Sequence, residues 1–126
     1  MNPQRTMACA ALLMGIGIII GASASHALQE LLGATRAHAL ETAVEYQLIN
    51  SLGLFMVGLL ARSREDIWMP RVARMLLAGI LCFSGGIYLM LTDAPRLLGL
   101  ITPVGGLLLI AAWLVLAWRL FSGPER

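Results

Sequence analysis

With 126 residues, 59% of them hydrophobic and only 13% charged, the chain lies far from the soluble average of about 25% charged. A soluble core of this size cannot hide so much apolar surface, whereas a bilayer removes the need to hide it, so the composition points to one membrane domain. The formal net charge of +2 is too small to argue for nucleic acid, which is excluded as a partner.

The first span covers approximately residues 6–26. Its uncharged run between Arg5 and His26 matches the roughly 20 residues a helix needs to cross hydrocarbon. The same stretch fits a signal peptide, with Arg5 as the basic region and Ala22-Ser23-Ala24 as a small-residue cleavage pattern; retention as a span is the preferred reading. A short polar connection follows over residues 27–40. Gly33 reads as a stop and Thr35 as an N-cap for the next helix, while Leu28, Leu31 and Leu32 fall at helical spacing and suggest a helical extension on the membrane surface.

The second span, 41–61, opens Glu-Thr-Ala-Val-Glu-Tyr-Gln-Leu-Ile-Asn-Ser and then turns almost wholly apolar, ending at Arg62-Ser63-Arg64-Glu65-Asp66. The third, 75–92, closes at the turn-like Thr92-Asp93-Ala94-Pro95-Arg96. The fourth, 97–118, contains Pro103, so either the helix kinks there or Thr102 caps a helix that starts at Pro103. The fold class expected is all-α, an integral membrane four-helix bundle.

All nine basic residues are Arg, and seven of them (5, 62, 64, 71, 74, 119 and 126) fall on the side that holds the termini and the 62–74 loop. The positive-inside rule then predicts cytoplasmic N- and C-termini in a bacterial inner membrane. Trp68, Trp118 and Phe121 fall at that interface, as belt residues rather than a binding site.

Small residues mark the expected helix contacts. Gly17, Gly21, Ala24 and Ser25 share one face of span one, and Gly15, Ala22 and His26 another. Span one is therefore expected to pack against two neighbours, both within the bundle or one across an oligomer contact. Gly85, Gly86, Gly105 and Gly106, together with Pro103, are further packing positions; no soluble context supports a phosphate loop.

Counting about 1.5 Å per residue from Arg62 and Arg119 places Glu45 and Thr102 at about 25 Å, Gln47 and Tyr88 near 22 Å, Asn50 near 18 Å and His26 near 31 Å. These polar groups form a layer just below the outer face. On the span-two wheel Glu45, Tyr46 and Asn50 share a face, Gln47 borders it, and Ser51 points away, bonding to its own helix. A charged side chain in a bilayer costs roughly 2.5–3.5 kcal/mol on insertion scales, so Glu45 is expected to accept hydrogen bonds from some of His26, Tyr88 and Thr102. The cluster His26, Glu45, Tyr46, Gln47, Asn50, Tyr88 and Thr102 has two readings: it fixes helix register, or Glu45 and His26 form a protonatable pair.

Cys9 and Cys82 lie inside apolar runs and read as packed thiols. With His26 and His38 as the only histidines, no metal-ligand spacing appears; a haem on His26 stays open, though no motif demands it, and no cofactor is expected. No Ser-His-acid or paired-carboxylate spacing points to catalysis, and the chain is expected not to be an enzyme.

Four segments carry a resemblance: Gly21-Ala22-x-x-x-His26, Glu45-Tyr46-Gln47 with Asn50, Phe83-Ser84-Gly85-x-x-Tyr88, and Thr102-Pro103-x-Gly105-Gly106. Together the chain resembles the domain-of-unknown-function 423 family, which is similar to eukaryotic transmembrane protein 256. The resemblance implies a small four-helix membrane protein of unassigned activity. Two departures stand out, Ser23-Ala24-Ser25 where the family has x-Gly-Ala before its His, and Asn50 where many members have His.

The expected function is non-enzymatic binding or assembly in the membrane, with lipids, a membrane-protein partner or the chain's own copies. The alternative is an oligomeric transporter or channel subunit using Glu45 and His26 for protons or a cation.

Overall fold

The computed structural model describes residues 1–24 and 26–123, with side chains described for all of these except 26–28. Four long helices and one short one follow in chain order: α1 (Pro3–Ser23), α2 (His26–Leu32), α3 (Ala34–Ser63), α4 (Trp68–Met90) and α5 (Ile101–Phe121), the last preceded by a 3₁₀ turn, Arg96–Leu100. Four segments are long and apolar enough to cross a membrane: α1, α3, α4, and α5 together with its 3₁₀ turn. The fold is an all-α four-helix membrane bundle.

Each boundary follows from local chemistry. Asn2 caps α1, its Oδ1 accepting from the Arg5 N–H at 2.8 Å, and Pro3 occupies the first turn, where a missing N–H costs nothing. Gly33 separates α2 from α3 at φ +82°, a left-handed conformation that glycine adopts without a Cβ penalty. Thr35 is not the N-cap expected from the sequence: α3 starts at Ala34, and Gly33 holds the cap position without a side-chain hydrogen bond.

Two helices begin well before the predicted spans. Hydropathy marks only the length embedded in lipid, whereas backbone hydrogen bonding carries a helix onward into water. Thus α3 begins seven residues before Glu41 and α4 seven before Met75, with Arg71 and Arg74 exposed on its surface. Pro103 makes no mid-span kink. It falls in the first turn of α5, where proline is tolerated, and the 3₁₀ turn supplies the rest of the predicted fourth span. Thr102 also sits inside that turn rather than capping it.

Packing runs α1 on α3, α3 on α4 and α4 on α5, with α2 against α3. Leu54 and Val57 of α3 meet Met69, Val72, Leu76 and Ile80 of α4 and Leu109, Ala112 and Leu116 of α5, and Ala10 joins from α1. Close approach is set by glycines. A Cβ on Gly105 would strike the Phe83 backbone nitrogen, and one on Gly86 would come within 2.5 Å of Thr102 Oγ1. Gly17 faces Leu48 and Gln47, and Gly21 faces Val44, so this face of α1 is used inside the chain, against α3. Gly15 and Gly85 have nothing within 4 Å of a built Cβ; these two are not close-contact points.

Candidate functional site

The inward stripe of α3 is Ala43, Val44, Gln47, Asn50, Ser51, Leu54 and Val57, a helical period that puts polar groups only in its upper half. Gln47 sits at the centre of this half. Its Nε2 donates to the Leu13 carbonyl of α1 at 2.7 Å, and its Oε1 accepts from the Tyr88 hydroxyl of α4 at 2.6 Å. One neutral amide thereby ties three helices.

Two more bonds extend the arrangement. Ser84 Oγ donates to the Ala43 carbonyl at 2.7 Å, linking α4 to α3 where both groups are buried. Trp113 Nε1 of α5 donates to Asn50 Oδ1 at 2.8 Å, and Asn50 Nδ2 donates to the Tyr46 carbonyl at 2.9 Å. The Trp113 ring lies over Gly53, where a Cβ would collide with it. Asn50 is thus a hydrogen-bonding group here. The Tyr46 ring is partly exposed and stacks on Phe83, with centroids 4.7 Å apart.

Glu45 accepts from neither Tyr88 nor Thr102, two of the three donors the sequence suggested. It is exposed, and none of the described hydrogen bonds or ion pairs involves it; the Tyr88 hydroxyl goes to Gln47 instead. At 100° per residue, positions 45 and 47 are 200° apart, so α3 can turn only one of them to its neighbours. The neutral amide, which donates and accepts, costs less to bury than a carboxylate. Thr102 is half-buried and lies against Gly86, not Glu45. The side chain of His26 lies outside the described residues. Ser51 also departs from expectation: it is buried, facing inward, and its hydroxyl has no partner.

A second polar cluster, at the end that holds the chain termini, was not foreseen. Asp66 is buried between α3 and α4. Its Oδ1 accepts from the Trp68 N–H at 2.9 Å, and its Oδ2 accepts from Arg119 Nε at 3.2 Å and Nη2 at 3.0 Å. Burial pushes the Asp66 carboxyl up, but the Trp68 N–H, the Arg119 guanidinium and the nearby Arg64 charge outweigh it and hold the group below the usual carboxylate range. Around the pair, Trp68 and Trp118 meet edge to face at 5.3 Å, with Arg71 over Trp68 and Arg119 over Trp118. A signal existed: Asp66 and Arg119 both close spans at the same end of an antiparallel bundle.

Among the described residues, no group of three or more His, Cys, Asp or Glu side chains stands together to hold a metal ion, and Cys9 and Cys82 are free thiols. The central cluster is built of amides, hydroxyls and an indole bonded to one another.

The family described as "Protein of unknown function (DUF423)" matches residues 20–106. Among similar proteins, a UPF0382 membrane protein of Staphylococcus haemolyticus is 36% identical over 110 residues, 87% of this chain and 88% of its own length. A UPF0382 membrane protein of Haemophilus influenzae is 33% identical over 108 residues, 86% of each chain. The UPF0382 inner membrane protein YgdD of Escherichia coli strain K12 is 31% identical over 98 residues, 78% of this chain and 75% of its own. No solved structure matches the chain.

Proposed function

Because this chain belongs to the DUF423 family of unknown function, its own geometry must carry any reading of its role, and from that geometry we propose that it is a non-enzymatic assembly protein of the inner membrane. It associates laterally through the outward face of α3, with its own copies as the simplest partner. The observation that supports this is Glu45. Its carboxylate points out of the bundle on the same face as Ile49, Leu52 and Met56, all more than half exposed, within a helix apolar enough to span the membrane. A carboxylate facing lipid costs roughly 2.5–3.5 kcal/mol, and a covering protein surface that offers a donor removes that cost.

Transport by a single chain has less support. Gln47, Asn50, Tyr88 and Trp113 close the interior with mutual bonds, and Glu45 stands on the far side of α3 from them. A proton or cation path would have to run between copies.

Counting subunits by single-molecule photobleaching, in membranes of native lipid at low protein density, tests the assembly reading. Two or more copies per particle are expected for the parent chain, with Ile49→Trp shifting the distribution to single copies by steric block. Single copies for the parent chain would remove the self-assembly reading.

A further inference from the structure

At the terminal end, α1, the last turns of α3 and the start of α4 enclose a cavity of about 360 Å³. Its inner wall is apolar, built by Val57, Ala61, Met69 and Ala73, and Thr6, Arg64, Asp66 and the exposed Glu65 line its polar part. Arg64 is the unusual member. Its Nε and Nη2 are buried with no hydrogen-bond partner, whereas buried donors are almost always satisfied. Asp66 does not serve, because its oxygens are taken by Arg119 and Trp68; its Oδ2 stands 3.8 Å from Arg64 Nη2, a charge contact beyond hydrogen-bonding range.

Nε and Nη2 form one edge of the guanidinium, the edge whose paired N–H groups match two oxygens of a carboxylate or phosphate. Arg64 lines the cavity and keeps 18% of its side-chain surface exposed; a turn about its own torsions would present that edge to a group held there. The space equals about a dozen waters at roughly 30 Å³ each, too large for a small anion alone, and its inner wall offers such an ion nothing. Arg5, Arg71 and Arg74 are exposed at the same end of the bundle and draw anionic amphiphiles towards it.

We propose that this cavity binds an anionic amphiphile, its phosphate or carboxylate head on Arg64 and its apolar part against Val57, Ala61, Met69 and Ala73. The site is independent of the Glu45 face, at the opposite end of α3.

The test titrates the full chain in a neutral detergent with dodecyl phosphate, dodecanoate, dodecanol and inorganic phosphate, reading affinity calorimetrically and helicity by circular dichroism. Dodecyl phosphate or dodecanoate is expected to bind, dodecanol and inorganic phosphate at least tenfold more weakly. Losing hydrogen bonds to a charged group makes Arg64→Gln about tenfold weaker or more, while Arg62→Gln, exposed two residues away, stays within about twofold. Ala61→Leu fills the apolar wall without touching the guanidinium and should weaken the amphiphile alone, which keeps the test decisive if Arg64→Gln fails to fold. Equal loss in Arg62→Gln and Arg64→Gln, binding of dodecanol as tight as the anions, or inorganic phosphate as tight as dodecyl phosphate would overturn the assignment.

Discussion

Glu45 and Gln47, two residues apart on α3, face opposite sides of the helix: Gln47 bonds α1 and α4 inside the bundle, and Glu45 stands exposed outside it. This opposition separates two roles that the sequence had merged. The interior cluster joins α3 to α1, α4 and α5 by hydrogen bonds, and the outward carboxylate takes no part in it. Polar contacts between membrane helices average about 0.6 kcal/mol and reach about 1.7, so a residue that makes two of them has a measurable but modest effect.

Gln47→Leu removes both bonds and leaves the Tyr88 hydroxyl without its partner. A loss of about 1–3 kcal/mol is expected, measured by reversible unfolding in mixed micelles followed by helicity. Tyr88→Phe loses less, and the double variant should be non-additive by about 0.5–1.5 kcal/mol, because the two side chains share one bond. Full additivity would show that the 2.6 Å contact carries no energy.

The Asp66 and Arg119 pair predicts an acid limit to stability. Asp66 is 1% and Arg119 8% exposed at the side chain, and the folded carboxyl titrates below its usual value. A group with a depressed folded pKa contributes stability that is fully present above its unfolded value, about 3.9, and is lost as pH falls through the folded pKa. Melting temperature should therefore be level from about pH 5 to 7 and fall below about pH 4. Asp66→Asn should cost about 1–3 kcal/mol at neutral pH, by removing the carboxylate that accepts from Arg119 Nε and Nη2 and from the Trp68 N–H, and should flatten the acid fall. By contrast, the Arg36 and Asp93 bridge at the other end, at 2.7 Å with side chains 48% and 80% exposed, should be worth less than about 1 kcal/mol.

The membrane class, the number of spans and the polar character of the upper half of α3 were legible because uncharged runs and Arg boundaries encode them directly. The inward face was not. On the α3 wheel Glu45, Tyr46 and Asn50 look like one polar face, but the core centres on Gln47 and Leu54, and a helix wheel alone does not say which arc its neighbours cover. Ser51 illustrates the same blind spot, being buried where self-bonding on an outer face was expected. Helix starts were missed most at α3 and α4, where Ala34 and Trp68 begin helices ahead of the uncharged runs, while the predicted ends at 26 and 92 run past Ser23 and Met90. The Asp66 cluster was missed because single residues at the ends of different spans meet only once the bundle is assembled.

The Arg asymmetry predicts orientation. The described structure places Arg5, Arg62, Arg64, Arg71, Arg74 and Arg119 towards one end and Arg36 and Arg96 towards the other, and positive-inside bias puts the Arg-rich end in the cytoplasm. A fluorescent protein fused after residue 126 should glow in intact cells, and alkaline phosphatase at the same place should be inactive. Active phosphatase there would reverse the orientation, and with it the leaflet that faces the Arg64 cavity.

The glycine doublets on α4 and α5 give opposite expectations within single pairs. At Gly105 an added methyl meets the Phe83 backbone nitrogen and the Cys82 carbonyl carbon, atoms that cannot move without separating the helices, so Gly105→Ala should cost about 1–3 kcal/mol or more. At Gly106 the nearest atom is 3.5 Å away on the Phe83 ring, an ordinary contact, and Gly106→Ala should be close to neutral. The α4 pair repeats the contrast. Gly86→Ala presses on Thr102 Oγ1 at 2.5 Å and its backbone nitrogen at 3.3 Å, whereas Gly85→Ala meets nothing and should stabilise by about 0.5–1 kcal/mol, since alanine loses less backbone entropy in a helix. The same unfolding assay ranks the four variants. If Gly85→Ala destabilises as much as Gly86→Ala, the open side of α4 at that level is covered by something in the membrane, and crosslinking from Gly85→Cys would then identify its neighbour.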